Sequence, residues 1–532
     1  MTRCKRPHGQ RLAVRWLPIH LLLATALALS AGLVHADDWP MFGQNLQNTA
    51  SARSQAPINA AKLAPKWVAT LNGEISARAA VVHGVVYVPD WSGQLWAMDA
   101  GTGAVVWSRK LTDYTQEPVT NSRTSPAVVD GVVYIGTQEG AWLLAIDAAT
   151  GQLRWKTQLE SPANDPFALI TASPSVAGGV VYTGVASIEE AVAANPNYPC
   201  CRARGSVVAV DARTGAKLWQ TYTVPAGYSG GGVWGSNLVV DPVRKSVFAS
   251  TGNNYSVPSA PAYQACIASG GTAAACMSPA NHVDSVLALD LKTGAIKWAT
   301  RAVDWNQPFV ANGSDNWNVA CLAGFGPGQG NCPVAAGPDY DFASAPNLIT
   351  YQDKGRPRTI LGAGQKSGIF YAMDPDNGAV LWRTQVGPGS ALGGMEWGSA
   401  SDGKRIYVSI ANLYGIPTPV GNAGSWAALD PATGQILWQV GDPNGAITVG
   451  PLTVAGGVVF ASSMAGGAGA PTMLALHAET GQTLWTYAAG SSVNAGPAVS
   501  NGTLFWGSGY AHLGIPGFTT NNKFFAFSVQ GQ

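Results

Sequence analysis

AMDAGTGAVVW, Ala97 to Trp107, decides how this chain reads, because it returns six more times. The copies are AIDAATGQLRW ending at Trp155, AVDARTGAKLW at Trp219, ALDLKTGAIKW at Trp298, AMDPDNGAVLW at Trp382, ALDPATGQILW at Trp438 and ALHAETGQTLW at Trp485. The shared pattern is Ala-x-Asp-x-x-Thr-Gly-x-x-x-Trp, with Asn377 once in place of Thr and His477 once in place of Asp. The apolar residues before the Asp read as a strand. Asp-x-x-Thr-Gly reads as a turn, in which Asp binds local backbone and Gly supplies a positive φ. The return to Trp is a second strand, so each copy is a hairpin. A Trp at one fixed place suits wedging between neighbouring sheets. Repeats of this spacing mean stacked or radial modules. All-strand modules point to an all-β protein, a β-propeller.

The chain ends give the blade number. KFFAFSVQ, Lys523 to Gln530, resembles the strand before one more turn, with no turn after it. KLAPKWVATL carries Trp67 with no Asp-Thr-Gly before it. The two halves complement each other, which predicts an eighth blade built from both termini and a closed ring without free edges.

Composition supports one repetitive domain over 37–532. Gly is high at 64 of 532 residues and charged residues are low at 11%, as many turns and buried strands require. A net charge of +1 gives no reason to expect nucleic acid or an anionic membrane as partner. Residues 1–36 read as a secretory signal: Arg3, Lys5, Arg6, Arg11 and Arg15, an apolar run from Trp16 to Val34, then Val34-His35-Ala36 as a cleavage site. No lipobox Cys follows, and no later stretch is apolar enough for stable membrane insertion. The expectation is export to a periplasm. Cys4 leaves with the signal and six cysteines remain, an even number that suits disulfides in an oxidising compartment. Proximity favours Cys266–Cys276 and Cys321–Cys332, and leaves Cys200 and Cys201 bonded to each other or free.

The repeats are unequally spaced. Extra residues fall at Ser187–Cys201, Tyr255–Asn281 and Asn306–Asp339, and hold all six of these cysteines. Loops on one face of a propeller are the usual place for chemistry, which points to the second to fifth blades.

The repeat is similar to the Trp-docking motif of the quinoprotein alcohol dehydrogenases. Several other segments resemble their polyvinyl-alcohol dehydrogenase branch: NSRTSPAVVDGVVYIG, SIEEAVAANPNYPCCRARGSVVAVD, GGGVWGSNLVVDP, SDNWNVAC and GGMEWGSASDGKRIYVSIANLYG. The resemblance implies an eight-bladed propeller holding pyrroloquinoline quinone (PQQ) and a metal on its axis. PQQ is a planar tricarboxylate, so its site needs a flat apolar surface, cations for the carboxylates and a Lewis acid at the reactive carbonyl.

Residue by residue, the resemblance makes Trp234 the floor under the quinone and Glu189 and Asn253 ligands of a Ca²⁺ ion, with Glu190 able to replace Glu189. It puts Lys366 against the quinone oxygens and Arg123 on a carboxylate, with Thr171 and Trp397 as further cofactor contacts. Cys200–Cys201 matches a vicinal pair of the branch. It forms either a ceiling over the quinone or the rim of the entrance beside Glu189. The catalytic base departs from the pattern. Methanol-dehydrogenase-like relatives have His-Asp-x-Trp-Asp, and this chain has Ser314-Asp315-Asn316-Trp317-Asn318. Asn318 stands at the base position, but an amide cannot take a proton. That leaves Asp315 as base or as further metal ligand, with Asp304 a third possibility. Ala320, where lanthanide-using relatives add an Asp, leans towards Ca²⁺.

The implied activity is oxidation of an alcohol, secondary and polyvinyl-alcohol-like, to a carbonyl. No Cys-x-x-Cys-His occurs in the sequence, so the electrons are expected to leave to a separate cytochrome c. The rival is a non-catalytic propeller acting as a scaffold in envelope assembly, which would need none of Trp234, Asn253, Lys366 or the paired cysteines. A third reading is a degenerate quinoprotein that lost its base at Asn318.

Overall fold

A computed structural model describes residues 1, 38–52, 58–301 and 315–532. The expected signal segment, apart from Met1, and Asp304 lie outside the described residues. The chain from Ala36 onward is one compact unit.

The seven hairpins sit inside seven sheets, each four sequential antiparallel strands, and an eighth sheet joins the ends. The first comprises Ala80–Val82, Val85–Pro89, Gln94–Asp99 and Val105–Lys110. The third has an added short strand, Ala168–Leu169. The eighth takes Ala498–Ser500, Thr503–Gly507 and Lys523–Val529 from the C-terminal end and Leu63–Thr70 from the N-terminal end, as the sequence predicts.

Every element of the repeat has a physical role. In the turns, Asp99 Oδ1 accepts from the backbone N–H of Gly101 and Thr102 and from the Thr102 hydroxyl. The same set recurs at Asp147, Asp211, Asp290 and Asp430. The repeat Ala lies opposite the repeat Trp, as in Ala97↔Trp107 and Ala288↔Trp298, and a register shift follows directly after each such Ala. A small residue there leaves room for the ring. The eighth blade makes the same pair across the termini, Trp67↔Ala526.

Each Trp then reaches into the next blade. Trp107 Nε1 donates to Ala148 O at 2.9 Å, Trp155 to Ala212 O at 3.0 Å and Trp219 to Leu291 O at 3.1 Å. The ring lies over the next blade's turn Gly: a Cβ on Gly151 would stand 2.8 Å from the Trp107 ring. Trp485 donates to Leu63 O at 3.0 Å, and Trp67 to Ala100 O at 3.0 Å, so the docking continues through the closure.

Inner strands such as Val132–Gly136 are buried on both faces, while the outermost, such as Leu153–Gln158, are half exposed. Sheets covered on both sides by neighbours need Val, Ala and Leu at consecutive positions, and the sequence supplies them. Strand alternation puts all Asp-Thr-Gly turns on one face of the ring. The loops from second to third strand, and from each blade to the next, therefore share the other face.

Candidate active site

All the predicted site residues come from these second-face loops. Their centre is Lys366, which follows the strand Arg356–Gly364 and is 5% exposed. Its Nζ lies 3.0 Å from Asp339 Oδ2 and 3.2 Å from Asp341 Oδ2. Burial works against its charge, but Asp339, Asp341, Glu190 and Glu396 outweigh burial and hold its pKa well above the ordinary lysine value.

Asp341 ties three expected residues together. Beside its contact with Lys366, its Oδ2 accepts from Trp234 Nε1 at 2.9 Å and its Oδ1 accepts from the Asn253 backbone N–H at 2.6 Å. Lys366 Nζ stands 5.1 Å from the centre of the Trp234 ring. Trp234, Asn253 and Lys366 thus form one cluster. Asn253 is fully buried; its amide Nδ2 donates to Trp317 O, and its Oδ1 accepts no hydrogen bond.

The two adjacent glutamates divide. Glu189 turns away from the cluster. Its Oε1 accepts from Tyr198 Oη at 2.6 Å, and its two oxygens take the backbone N–H groups of Arg202 and Ala203. Both oxygens are therefore held by donors of the loop from Tyr198 to Ala203. Glu190 faces the cluster. Its Oε1 is buried without a partner, and burial pushes its pKa to about 8, against the pull of Lys366.

Asp315 is 7% exposed, and its carboxylate accepts from the backbone N–H of Asp339 and Tyr340. Burial raises its pKa to about 6 despite those two bonds. Asn318 is 0% exposed. Its Nδ2 donates to Tyr255 O and Asn331 O, both at 2.8 Å, and its Oδ1 accepts from Ala320 N–H. It is a bracket between loops. Cys200 and Cys201 are bonded to each other, and Cys200 Sγ lies 3.9 Å from Asn318 Nδ2, at the edge of the cluster. The other expected disulfides, Cys266–Cys276 and Cys321–Cys332, also form.

Arg123, Thr171 and Trp397 make a second group, lining one cavity with Ser76, Arg78, Ser173 and Asn494. The Arg123 guanidinium lies 4.1 Å from the Trp397 ring centre and donates to Tyr510 Oη at 2.6 Å. Trp397 meets Trp234 edge to face at 5.4 Å, so the two groups adjoin.

Four acids escaped the sequence reading: Asp284, Asp339, Asp341 and Glu396, all 4% exposed or less. Asp284 has no hydrogen-bond partner on either oxygen, and burial holds its pKa well above the usual range. Burial lifts Glu396 to about 7, with Lys366 and Arg123 opposing. One signal was available. Asp339 and Asp341 stand two residues apart at the end of the long insertion Asn306–Asp339. Asp284, Asp339 and Trp397 all have positive φ, at 45°, 62° and 56°. Such backbone costs of order 1–3 kcal/mol per residue and gathers at functional sites.

Among the partnerless buried atoms of these residues are five oxygens, Glu190 Oε1, Asn253 Oδ1, Asp339 Oδ1 and both of Asp284, beside one nitrogen, Trp397 Nε1. Hard oxygen donors suit a Ca²⁺-class cation. Among the described residues, no three His, Cys, Asp or Glu side chains alone form a metal-binding group. Also among these residues, no helix is long and apolar enough to cross a membrane.

Comparison with known proteins identifies the family and agrees with the fold. A family model described as PQQ_2, outer membrane protein assembly factor BamB, matches residues 40–197 and 422–521. A polyvinylalcohol dehydrogenase from a Pseudomonas species is 30% identical over 93% of this chain and 78% of its own length. Another from Sphingopyxis is 29% identical over 88% and 73%. The structure of a quinohemoprotein alcohol dehydrogenase from Pseudomonas putida superposes with a TM-score of 0.69 at 19% identity, over 94% of this chain and 81% of that one, which shows the shared fold. The chain belongs to the PQQ-dependent quinoprotein alcohol dehydrogenases, beside the polyvinyl-alcohol dehydrogenases.

Proposed function

We propose that this alcohol dehydrogenase acts on secondary, polyvinyl-alcohol-like substrates with PQQ and Ca²⁺, in a periplasm, and passes electrons to a separate cytochrome c. The observation that carries the reading is the set of buried, partnerless oxygens around Lys366, next to the Trp234 ring. PQQ, when bound, supplies a two-electron acceptor that takes hydride from the alcohol carbon.

The protein's own groups do the rest. Glu190 and Asn253 would offer oxygens to the cation. Lys366, kept charged by Asp339 and Asp341, stabilises negative charge developing above Trp234. Arg123, over the Trp397 ring, would offer a guanidinium to a carboxylate. Asp315 takes the hydroxyl proton, since Asn318 cannot.

The test is direct. The purified protein is supplied with PQQ, with and without Ca²⁺, and dye reduction is followed with polyvinyl alcohol, 2-propanol and ethanol. Ca²⁺-dependent activity, larger for the first two, is expected. PQQ binding that ignores chelation would overturn the cation assignment. Activity confined to ethanol would overturn the substrate class.

A further inference from the structure

We propose that Glu189 and Asn318, at positions the family pattern gives to a ligand and a base, are positioning residues. They fasten the loop from Ile188 to Ala203 and so fix the direction from which Glu190 reaches the cation. The proposal rests on Glu190 being a cation ligand, as argued above.

The first fastening is a single carboxylate that ties the start of the loop to its end. Glu189 is 0% exposed. It accepts from Tyr198 Oη at 2.6 Å, from Arg202 N–H at 3.0 and 2.9 Å, and from Ala203 N–H at 2.7 Å. Bonds to an ionised acceptor are about twice as strong as neutral ones. Glu189 and Glu190 open the short helix Glu189–Val192. Successive helical side chains point about 100° apart. Holding Glu189 against residues 198–203 therefore turns Glu190 towards Lys366 and Asp341, both of which act on its charge.

The second fastening grips the loop from outside. Asn331 Nδ2 donates to Ala193 O, Asn195 O and Tyr198 O at 3.1, 2.9 and 3.0 Å. The carbonyl of Asn331 accepts from Asn318 Nδ2, which also holds Tyr255 O. The Cys321–Cys332 disulfide joins the segments that carry Asn318 and Asn331. The loop bearing Cys200–Cys201 is thus clasped between the buried Glu189 carboxylate and the half-buried Asn331 amide.

Glu189→Gln in the full chain tests this. It sets an NH₂ group against backbone N–H donors while leaving Glu190 untouched. The readout is the Ca²⁺ concentration for half-maximal PQQ binding, followed by PQQ absorbance, with thermal melting as the check on folding. The midpoint should rise about 10–100-fold, the usual effect of losing an outer-shell partner. High Ca²⁺ should restore occupancy. Tyr198→Phe, which removes one of the bonds, should shift the midpoint the same way by less, and it decides the matter if Glu189→Gln does not fold. Glu190→Gln should abolish Ca²⁺-dependent binding beyond rescue. An unchanged midpoint in folded Glu189→Gln, or in Tyr198→Phe alone, overturns the proposal. Binding by the wild type that does not depend on Ca²⁺ would instead overturn the cation-site reading beneath it.

Discussion

Asn318 shows how the fold can claim a side chain that the family pattern assigns to chemistry. Its amide donates to two carbonyls and accepts one N–H, a set that only an amide can complete. Asn318→Asp would restore the family's acid, yet it would set a carboxylate against two carbonyl oxygens. The expected result is a loss of about 1–3 kcal/mol for each buried group left unpaired, with no gain in turnover. Denaturant melts and dye-linked rates check both parts. Glu396 gives a pH signature at the same scale. Burial raises its pKa to about 7, so the folded protein holds this proton more tightly than the unfolded chain. Its contribution to stability is full below the ordinary glutamate value and is lost as pH rises through about 7. Glu396→Gln should flatten that part of the melting-temperature profile, and an unchanged slope between pH 5 and 8 would refute the assignment.

At the scale of the element, stability rests on a contact repeated around the ring. The Trp of one blade lies on the turn Gly of the next, and only Gly fits there. Gly294 has φ +70°, and a Cβ on it would stand 2.5 Å from the Trp219 ring and 2.7 Å from Thr221 Oγ1. Gly294→Ala should combine backbone strain with overpacking, each worth about 1–3 kcal/mol. A fall in the denaturation midpoint is expected, with PQQ affinity of the folded protein unchanged. The turn chemistry was legible in the sequence because it is local: Asp, Thr and Gly lie within five residues and bond to one another. The docking partner was not legible, because the Trp reaches a carbonyl in another blade.

Across the whole molecule, the eighth blade removes the free edges of the ring. Lys523–Val529 pairs on one side with Thr503–Gly507 and on the other with Leu63–Thr70, and it buries Phe524, Phe525 and Phe527. Deleting residues 523–532 would expose two strand edges and three aromatic rings. The expected outcome is aggregation rather than a seven-bladed monomer, seen as loss of the monomer peak in size-exclusion chromatography. The site was legible in outline only. Trp234, Asn253 and Lys366 could be named because the family resemblance assigns each a role, and the folded chain brings them together through Asp341. Asp284 lies at a loop end with no pattern of its own, and it meets the cluster only when the ring closes. By itself, the sequence determined the repeat, the number of blades and the pairing of the termini, because hairpin turns and strand periodicity depend on neighbouring residues. The tertiary structure alone decided that Glu190 and not Glu189 faces Lys366, and that Asn318 is a bracket. Which way a buried side chain points depends on the donors that surround it, and here those donors come from loops far apart in the chain.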